Sequence, residues 1–284
     1  MKIVVTGYTG QLGFDVVREG KQRGFEMYGT GSMDLDITNE QNVRAYIRQL
    51  NPDAIIHCAA YTSVDLAEDD KERCYDVNVN GTRYLAEAAK ETGAKFIYLS
   101  TDYVFDGKGT NAFTESDQPN PIGYYGKTKY EGEQIIETTL SHFFIVRISW
   151  VFGINGNNFI KTMRKLADSQ PIVRVVGDQI GAPTYTRDLS ILLLDMIQTE
   201  QYGIYHAANS GVCSWSDFAE ELFKLENRSV SVHPITSEEF PTKAKRPKNS
   251  RLSKAKLIEN GFSPLPNWKD ALERYLTELN DEVK

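Results

Sequence analysis

Over its first 150 positions the chain alternates short apolar runs with longer amphipathic stretches. Lys2–Thr6 (KIVVT), Phe25–Thr30, Ala54–Cys58 (AIIHC), Lys95–Ser100 (KFIYLS) and Phe143–Ile148 (FFIVRI) read as strands. Runs this short and this uniformly apolar suit strands buried on both faces. Between them, helical spacing predicts Gln11–Gln22, closed by Gly24, and Glu40–Leu50, capped by Asn39 with Pro52 beyond its end. A long helix is predicted over Lys71–Thr92, stopped by Gly93, and another over Tyr125–Thr139. Helical crossovers force parallel pairing. The expected fold is therefore α/β, a Rossmann-type doubly wound parallel sheet, in which ligands bind beyond the carboxyl ends of the strands.

After Trp150 the pattern loosens. Helices are expected at Asn158–Asp168, Arg187–Gln198, Ser216–Leu225 and Trp268–Leu279, and Pro234 to Pro247 is irregular and basic. The division expected is a dinucleotide-binding domain over 1–150, with later sheet elements from about 172–206. Residues 151–284 then form mainly a smaller C-terminal lobe on one side of the cleft.

Composition narrows the function classes. A net charge of −7 argues against a general affinity for nucleic acid, while leaving room for a local basic pocket around a phosphorylated ligand. Cys58, Cys74 and Cys213 are odd in number and widely spaced, and His57, His142, His206 and His233 are scattered, so neither a disulfide framework nor a metal cluster is expected. No apolar run reaches the roughly 18 residues of a membrane helix. The N-terminus enters a strand directly, so no signal peptide is expected and a cytoplasmic location follows by default.

Candidate chemistry follows the strands. Gly7-Tyr-Thr-Gly10-Gln-Leu-Gly13 joins the first strand to the first helix. Gly7 permits a tight turn, Gly10 lets backbone approach a pyrophosphate, and Gly13 lets helix and strand pack closely. The second strand ends in Thr30-Gly-Ser-Met-Asp34, without a clear acid for a ribose 2′-hydroxyl. That favours NADPH, with NADH as the alternative. Asp36-Ile37, on the next turn, suits the adenosine; the plain alternative for Asp36 is a turn acid.

Tyr125 and Lys129 stand at i and i+4, on one helical face. A nearby ammonium lowers a tyrosine's pKa, giving an acid–base group of the kind carbonyl reduction needs. Taken alone, this spacing also describes an ordinary solvated helix face. Ser100-Thr101-Asp102 and Cys58-Ala59-Ala60-Tyr61-Thr62, each directly after a buried strand, supply the context that favours the catalytic reading.

Together with Asn78, these residues resemble the extended short-chain dehydrogenase/reductase family, over essentially the whole chain. Six further segments in order carry the resemblance: Ser100–Gly107, Tyr125–Lys129, Arg147–Gly153, Gly156–Phe159, Asp178–Thr184 and Arg246–Leu252. It implies an NAD(P)H-dependent oxidoreductase acting on a nucleotide-diphosphate sugar, with the C-terminal lobe binding that substrate. Tyr125 would donate the proton to the sugar's C4 oxygen, Lys129 would lower its pKa and hold the nicotinamide ribose, and Thr101 would tune the tyrosine. Cofactor contacts are implied for Gly7, Gly10, Gln11, Leu12, Gly13, Asp36, Ile37, Ala59, Ala60, Tyr61, Thr62, Leu99 and Ser100, besides Tyr125 and Lys129. Substrate contacts are implied for Thr101, Asp102, Trp150, Asn158 and Arg246.

Sugar 4,6-dehydratases of the family carry Thr-Asp-Glu where this chain has Thr101-Asp102-Tyr103, so elimination is disfavoured. A 4-epimerase and a non-catalytic dinucleotide-binding regulatory subunit are the alternatives to a reductase. Some relatives dimerise through magnesium held by acidic side chains. The matching positions here are Asp15 and Arg187, and the arginine argues against both the metal and that dimer. The expectation is a monomer or weak homodimer without a metal, a nucleic-acid partner or a membrane.

Overall fold

The computed structural model describes residues 1–282. β1 (Lys2–Thr6), α1 (Gln11–Gln22), β2 (Glu26–Thr30), α2 (Glu40–Leu50) and β3 (Ala54–His57) follow the sequence pattern to within a residue. Asn39 caps α2 by accepting the Asn42 amide at 3.0 Å. The stretch expected as one helix is broken: α3 (Lys71–Tyr75) and α4 (Gly81–Thr92) flank a π-helical turn at Asp76–Asn80. In that turn the buried Asn78 carboxamide accepts the Tyr61 amide at 2.8 Å and donates to Thr128 Oγ1 at 3.0 Å. π-turns inside helices are frequent at functional sites. β4 (Lys95–Thr101), α5 (Tyr124–Thr139) and β5 (Phe143–Ile148) complete the regular half.

Beyond them come β6 (Val151–Phe152), α6 (Phe159–Ala167), β7 (Ile172–Val176), β8 (Ile180–Gly181), β9 (Thr184–Tyr185), α7 (Thr186–Met196) and β10 (Gly203–His206). β11 (Cys213–Ser214), α8 (Trp215–Leu225), β12 (Ser231–Ile235), β13 (Asn249–Ser250), α9 (Ala255–Glu259) and α10 (Trp268–Glu282) follow.

The central sheet has the order β10-β5-β4-β3-β1-β2, with every pairing parallel. Alternate strand residues feed opposite faces. Ile3 and Val5 pack with Val16 and Leu193 beneath α1 and α7, while Val4 packs with Val43, Ile47 and Leu85 beneath α2 and α4. Each such fully buried aliphatic side chain contributes roughly 1.5–3 kcal/mol. Of the later sheet elements expected from about 172–206, β10 joins this sheet, but β7 does not. β7 pairs with β12 instead, because its buried Val173 and Val175 belong to a separate core with Phe152, Phe218 and Leu272.

Candidate active site

The carboxyl ends of β1 to β5 open onto one cavity of about 1410 Å³, whose wall carries every residue singled out above as a cofactor, catalytic or substrate contact. Single small-molecule sites run to roughly 300–1,000 Å³, so this cavity has room for two ligands side by side.

At its floor the glycine turn is shaped by steric need. Gly7 takes φ +72°, and a Cβ there would stand 2.6 Å from the Ala59 amide nitrogen. A Cβ on Gly13 would collide with the Gly7 carbonyl, so the first turn of α1 rides directly on the loop. Gly10 begins α1 without a side-chain cap. The first-turn N–H groups have no intrahelical partner and meet an anion with the positive end of the helix dipole. The turn thus forms a cradle that a single side chain would fill, and it continues along Ala59–Thr62 to Tyr125. The residues present fit a nicotinamide dinucleotide.

Asp36 is on the wall, but its carboxylate accepts the Thr38 amide at 2.9 Å and hydroxyl at 2.7 Å, so it also serves as the turn acid. Gln11 reaches across to the other lobe, where its Oε1 accepts the Gly153 amide at 2.9 Å and Asn158 Nδ2 at 3.1 Å. Asn158 in turn caps α6 through the Lys161 amide at 3.0 Å. Its carboxamide is therefore committed to protein partners, although it lines the cavity.

α5 begins at Tyr124 and presents Tyr125 and Lys129 to the same cavity. Gly126 allows the approach, since a Cβ there would collide with the Tyr103 carbonyl. Tyr103 stands edge-on to Tyr125, with ring centroids 5.6 Å apart. One expectation needs correcting. Tyr125 is raised overall, not lowered: burial, followed by the Asp102 carboxylate, lifts the phenol above its ordinary range, and Thr101 works against that rise. Lys129 is itself buried, with its ammonium over the Tyr98 ring at 4.0 Å, and burial lowers it to about 7. Asp102 is buried, accepts from Thr101 Oγ1 at 3.1 Å, and is pushed up to about 6 by desolvation. Its Oδ2 has no hydrogen-bond partner among the described residues.

Trp150 takes φ +49°, a conformation uncommon outside glycine, and stacks on Trp215 at 3.8 Å between centroids. Gly181 leaves room for the indole, since a Cβ there would lie 2.8 Å from it. Arg246 is on the wall, but its guanidinium pairs with Asp65 at 2.6 and 3.1 Å. Trp215 and Phe159 also line the cavity and were not singled out from the sequence. For Trp215 a signal existed. Ser214 and Asp217 form a capping box, which fixes Trp215 as the first residue of α8. Phe159 ends the Gly156–Phe159 segment, which carried the resemblance without assigning this side chain a place in the site. Asp15 lies away from the cavity, where it pairs with Arg18 at 2.8 Å and accepts Thr186 Oγ1 at 2.5 Å. Arg187 stands 3.7 Å from Glu278 beside it.

The parallel sheet, the glycine cradle and the Thr101/Tyr125/Lys129 grouping define a nicotinamide-dependent oxidoreductase of the extended short-chain dehydrogenase/reductase class. The RmlD substrate binding domain model matches residues 1–281, and the chain belongs to that family. A dTDP-4-dehydrorhamnose reductase of Aggregatibacter actinomycetemcomitans is 41% identical over 287 residues, covering 96% of this chain and 97% of its own. The crystal structure of a Clostridium acetobutylicum dTDP-4-dehydrorhamnose reductase superposes with a TM-score of 0.97 at 42% identity, covering 99% of this chain and 100% of its own. That of the Bacillus anthracis dTDP-4-dehydrorhamnose reductase, solved in complex with NADP, gives 0.95 at 42% identity, covering 98% and 99%.

Proposed function

We infer that the protein catalyses the NADPH-dependent reduction of the C4 carbonyl of dTDP-4-dehydro-L-rhamnose to dTDP-L-rhamnose. The observation that carries this reading is the convergence of Tyr125, Thr101 and Lys129 on the cavity that also holds the glycine cradle. The hydride that reduces C4 comes from the bound nicotinamide. As negative charge develops on the C4 oxygen, Tyr125 Oη gives it a proton. A phenol held above its ordinary pKa is fully protonated at neutral pH, and an alkoxide is a strong enough base to take its proton. Thr101 holds the phenol and the carbonyl oxygen in register, and the Lys129 ammonium offsets the charge left on the tyrosine. Trp150 and Trp215 offer an aromatic wall to the sugar, and Arg246 meets the diphosphate by exchanging its ion pair with Asp65. In this reading residues 1–150 with β10 bind the dinucleotide, and 151–284 supply most of the substrate lobe.

The relatives named as reductases of this substrate support the reading, and Tyr103 in place of a carboxylate counts against dehydration. The pairing of buried Asp15 with Arg18 and the neighbouring Arg187 favour a monomer or weak homodimer assembled without a metal. Purified protein incubated with dTDP-4-dehydro-L-rhamnose and NADPH tests the proposal. Equimolar loss of NADPH and gain of dTDP-L-rhamnose is expected. Sugar interconversion without net NADPH loss would instead identify an epimerase, and intact substrate a binding subunit.

A further inference from the structure

Glu133 lies one turn beyond Lys129 on α5 and is completely buried. A lone carboxylate in that position would be costly, but three hydrogen bonds hold it. Ser100 Oγ donates to Oε1 at 2.5 Å, Arg147 Nε to Oε1 at 2.9 Å, and Arg147 Nη2 to Oε2 at 2.6 Å. Arg147, on β5, is equally enclosed, and its Nη1 lies 3.4 Å from His206 Nε2. His206 Nδ1 is 3.1 Å from the Phe113 carbonyl. That carbonyl can only accept, so Nδ1 carries the proton and Nε2 is left to accept from Arg147. The Ser100 bond thus ties the helix bearing Tyr125 and Lys129 to the strand end bearing Thr101, and the ion pair ties it to β5 and onward to the sheet edge at β10.

Positions i and i+4 bring Lys129 and Glu133 onto one face of α5. Besides Tyr125 one turn back, which burial also raises, the other titratable groups facing Lys129 are His57 and Cys58 at the end of β3, Cys74 on α3 and Tyr98 on β4. Burial pushes His57 down to about 3 and Cys58 up to about 12, and it raises Cys74 and Tyr98. All four are neutral at pH 7. Among the described residues, Glu133 is then the anion that faces the Lys129 ammonium. Both of its oxygens are engaged by Arg147 and Ser100 rather than by the lysine. No ion pair engages Lys129 among the described residues, so its ammonium stays available to the cavity.

We propose that Glu133 is a positioning residue for Lys129: its carboxylate, locked by Arg147 and Ser100, sets the charge that faces the lysine and fixes the helix turn that carries it. The inference rests on the reading of Lys129 as part of the proton-transfer set.

The test is nitrogen NMR of the full chain carrying 15N-lysine, with the Lys129 resonance identified by its loss in Lys129→Arg. Glu133→Gln should lower the Lys129 midpoint by about one pH unit or more, the scale of a single nearby charge. Glu133→Asp should restore much of it. Because Glu133→Gln strands a buried Arg147, Glu133→Gln/Arg147→Met provides a second variant in case the first does not fold. A wild-type midpoint in Glu133→Gln, or no lowering in the double variant relative to Arg147→Met alone, with circular dichroism confirming the fold, overturns the proposal. The basic limb of kcat/KM should move with the midpoint. If the midpoint moves while that limb stays, the effect of Glu133 on Lys129 stands and the catalytic reading of Lys129 fails.

Discussion

The ring of Tyr103 stands edge-on to that of Tyr125, with centroids 5.6 Å apart and planes at 75°. In the family's dehydratases a carboxylate occupies the Tyr103 position. Here an aromatic edge stands against the proposed proton donor instead. Such pairs are worth roughly 0.5–1.5 kcal/mol, or about 2- to 10-fold in rate if lost from the transition state. Tyr103→Ala should lower kcat by about that factor, whereas Tyr103→Phe, which keeps the edge contact, should stay within roughly 2-fold. Initial-rate kinetics decide it. Equal kcat for the two variants would mean that the contact does not brace the donor.

In the proposed mechanism Lys129 sets an upper pH limit. Burial lowers its ammonium to about 7 against an ordinary value of 10.5. Protonation is complete below the folded-state value and lost above it. The rate limited by the charged form should therefore fall as pH rises through about 7. The folded state binds fewer protons than the unfolded chain between those two values, so stability should rise with pH over the same range. A kcat/KM profile flat through pH 9 would contradict the requirement for a charged Lys129.

Asp102 runs the other way. Its carboxyl is raised to about 6 from 3.8, mainly by desolvation. Its favourable contribution is full below the unfolded value and is lost as pH rises through the folded one. Asp102→Asn removes that dependence. The variant should gain stability over wild type progressively between pH 3.8 and about 6, reaching on the order of 3 kcal/mol and then levelling off. Denaturant titrations at several pH values measure this. A gap that does not change with pH would show that the carboxyl carries no such strain.

Much of this was readable because the chemistry follows the strands. β1, β3 and β4 are short apolar runs, and the residues directly after them are those that line the cavity. Long-range pairing was not readable. Asp65 and Arg246 meet across 181 positions, and nothing local to either segment announces the partner. The π-turn at Asp76–Asn80 was hidden because the apolar spacing of Lys71–Thr92 stays helical, and the widening is set by Asn78 reaching Tyr61 and Thr128. Two-residue strands such as β8 and β13 are too short to show a period. Electrostatic direction was misjudged at Tyr125, because the depth of burial that raises it is a property of the assembled cavity.

Arg246 is expected to leave Asp65 for the substrate's diphosphate. Hydrogen bonds to charged groups contribute about 1.5–3 kcal/mol, so Arg246→Ala should raise the substrate KM by roughly 10- to 100-fold. The dissociation constant for NADPH, read by fluorescence, should change little. A comparable loss of NADPH affinity would move Arg246 to the cofactor side of the cavity.

The central claim is that Tyr125 is the proton donor of a C4 reduction, and Tyr125→Phe tests it most directly. Turnover of dTDP-4-dehydro-L-rhamnose at saturating NADPH should fall by roughly 10²- to 10⁴-fold, the usual worth of a positioned acid, while NADPH binding stays near the wild-type value. Wild-type turnover in that variant would contradict the assignment.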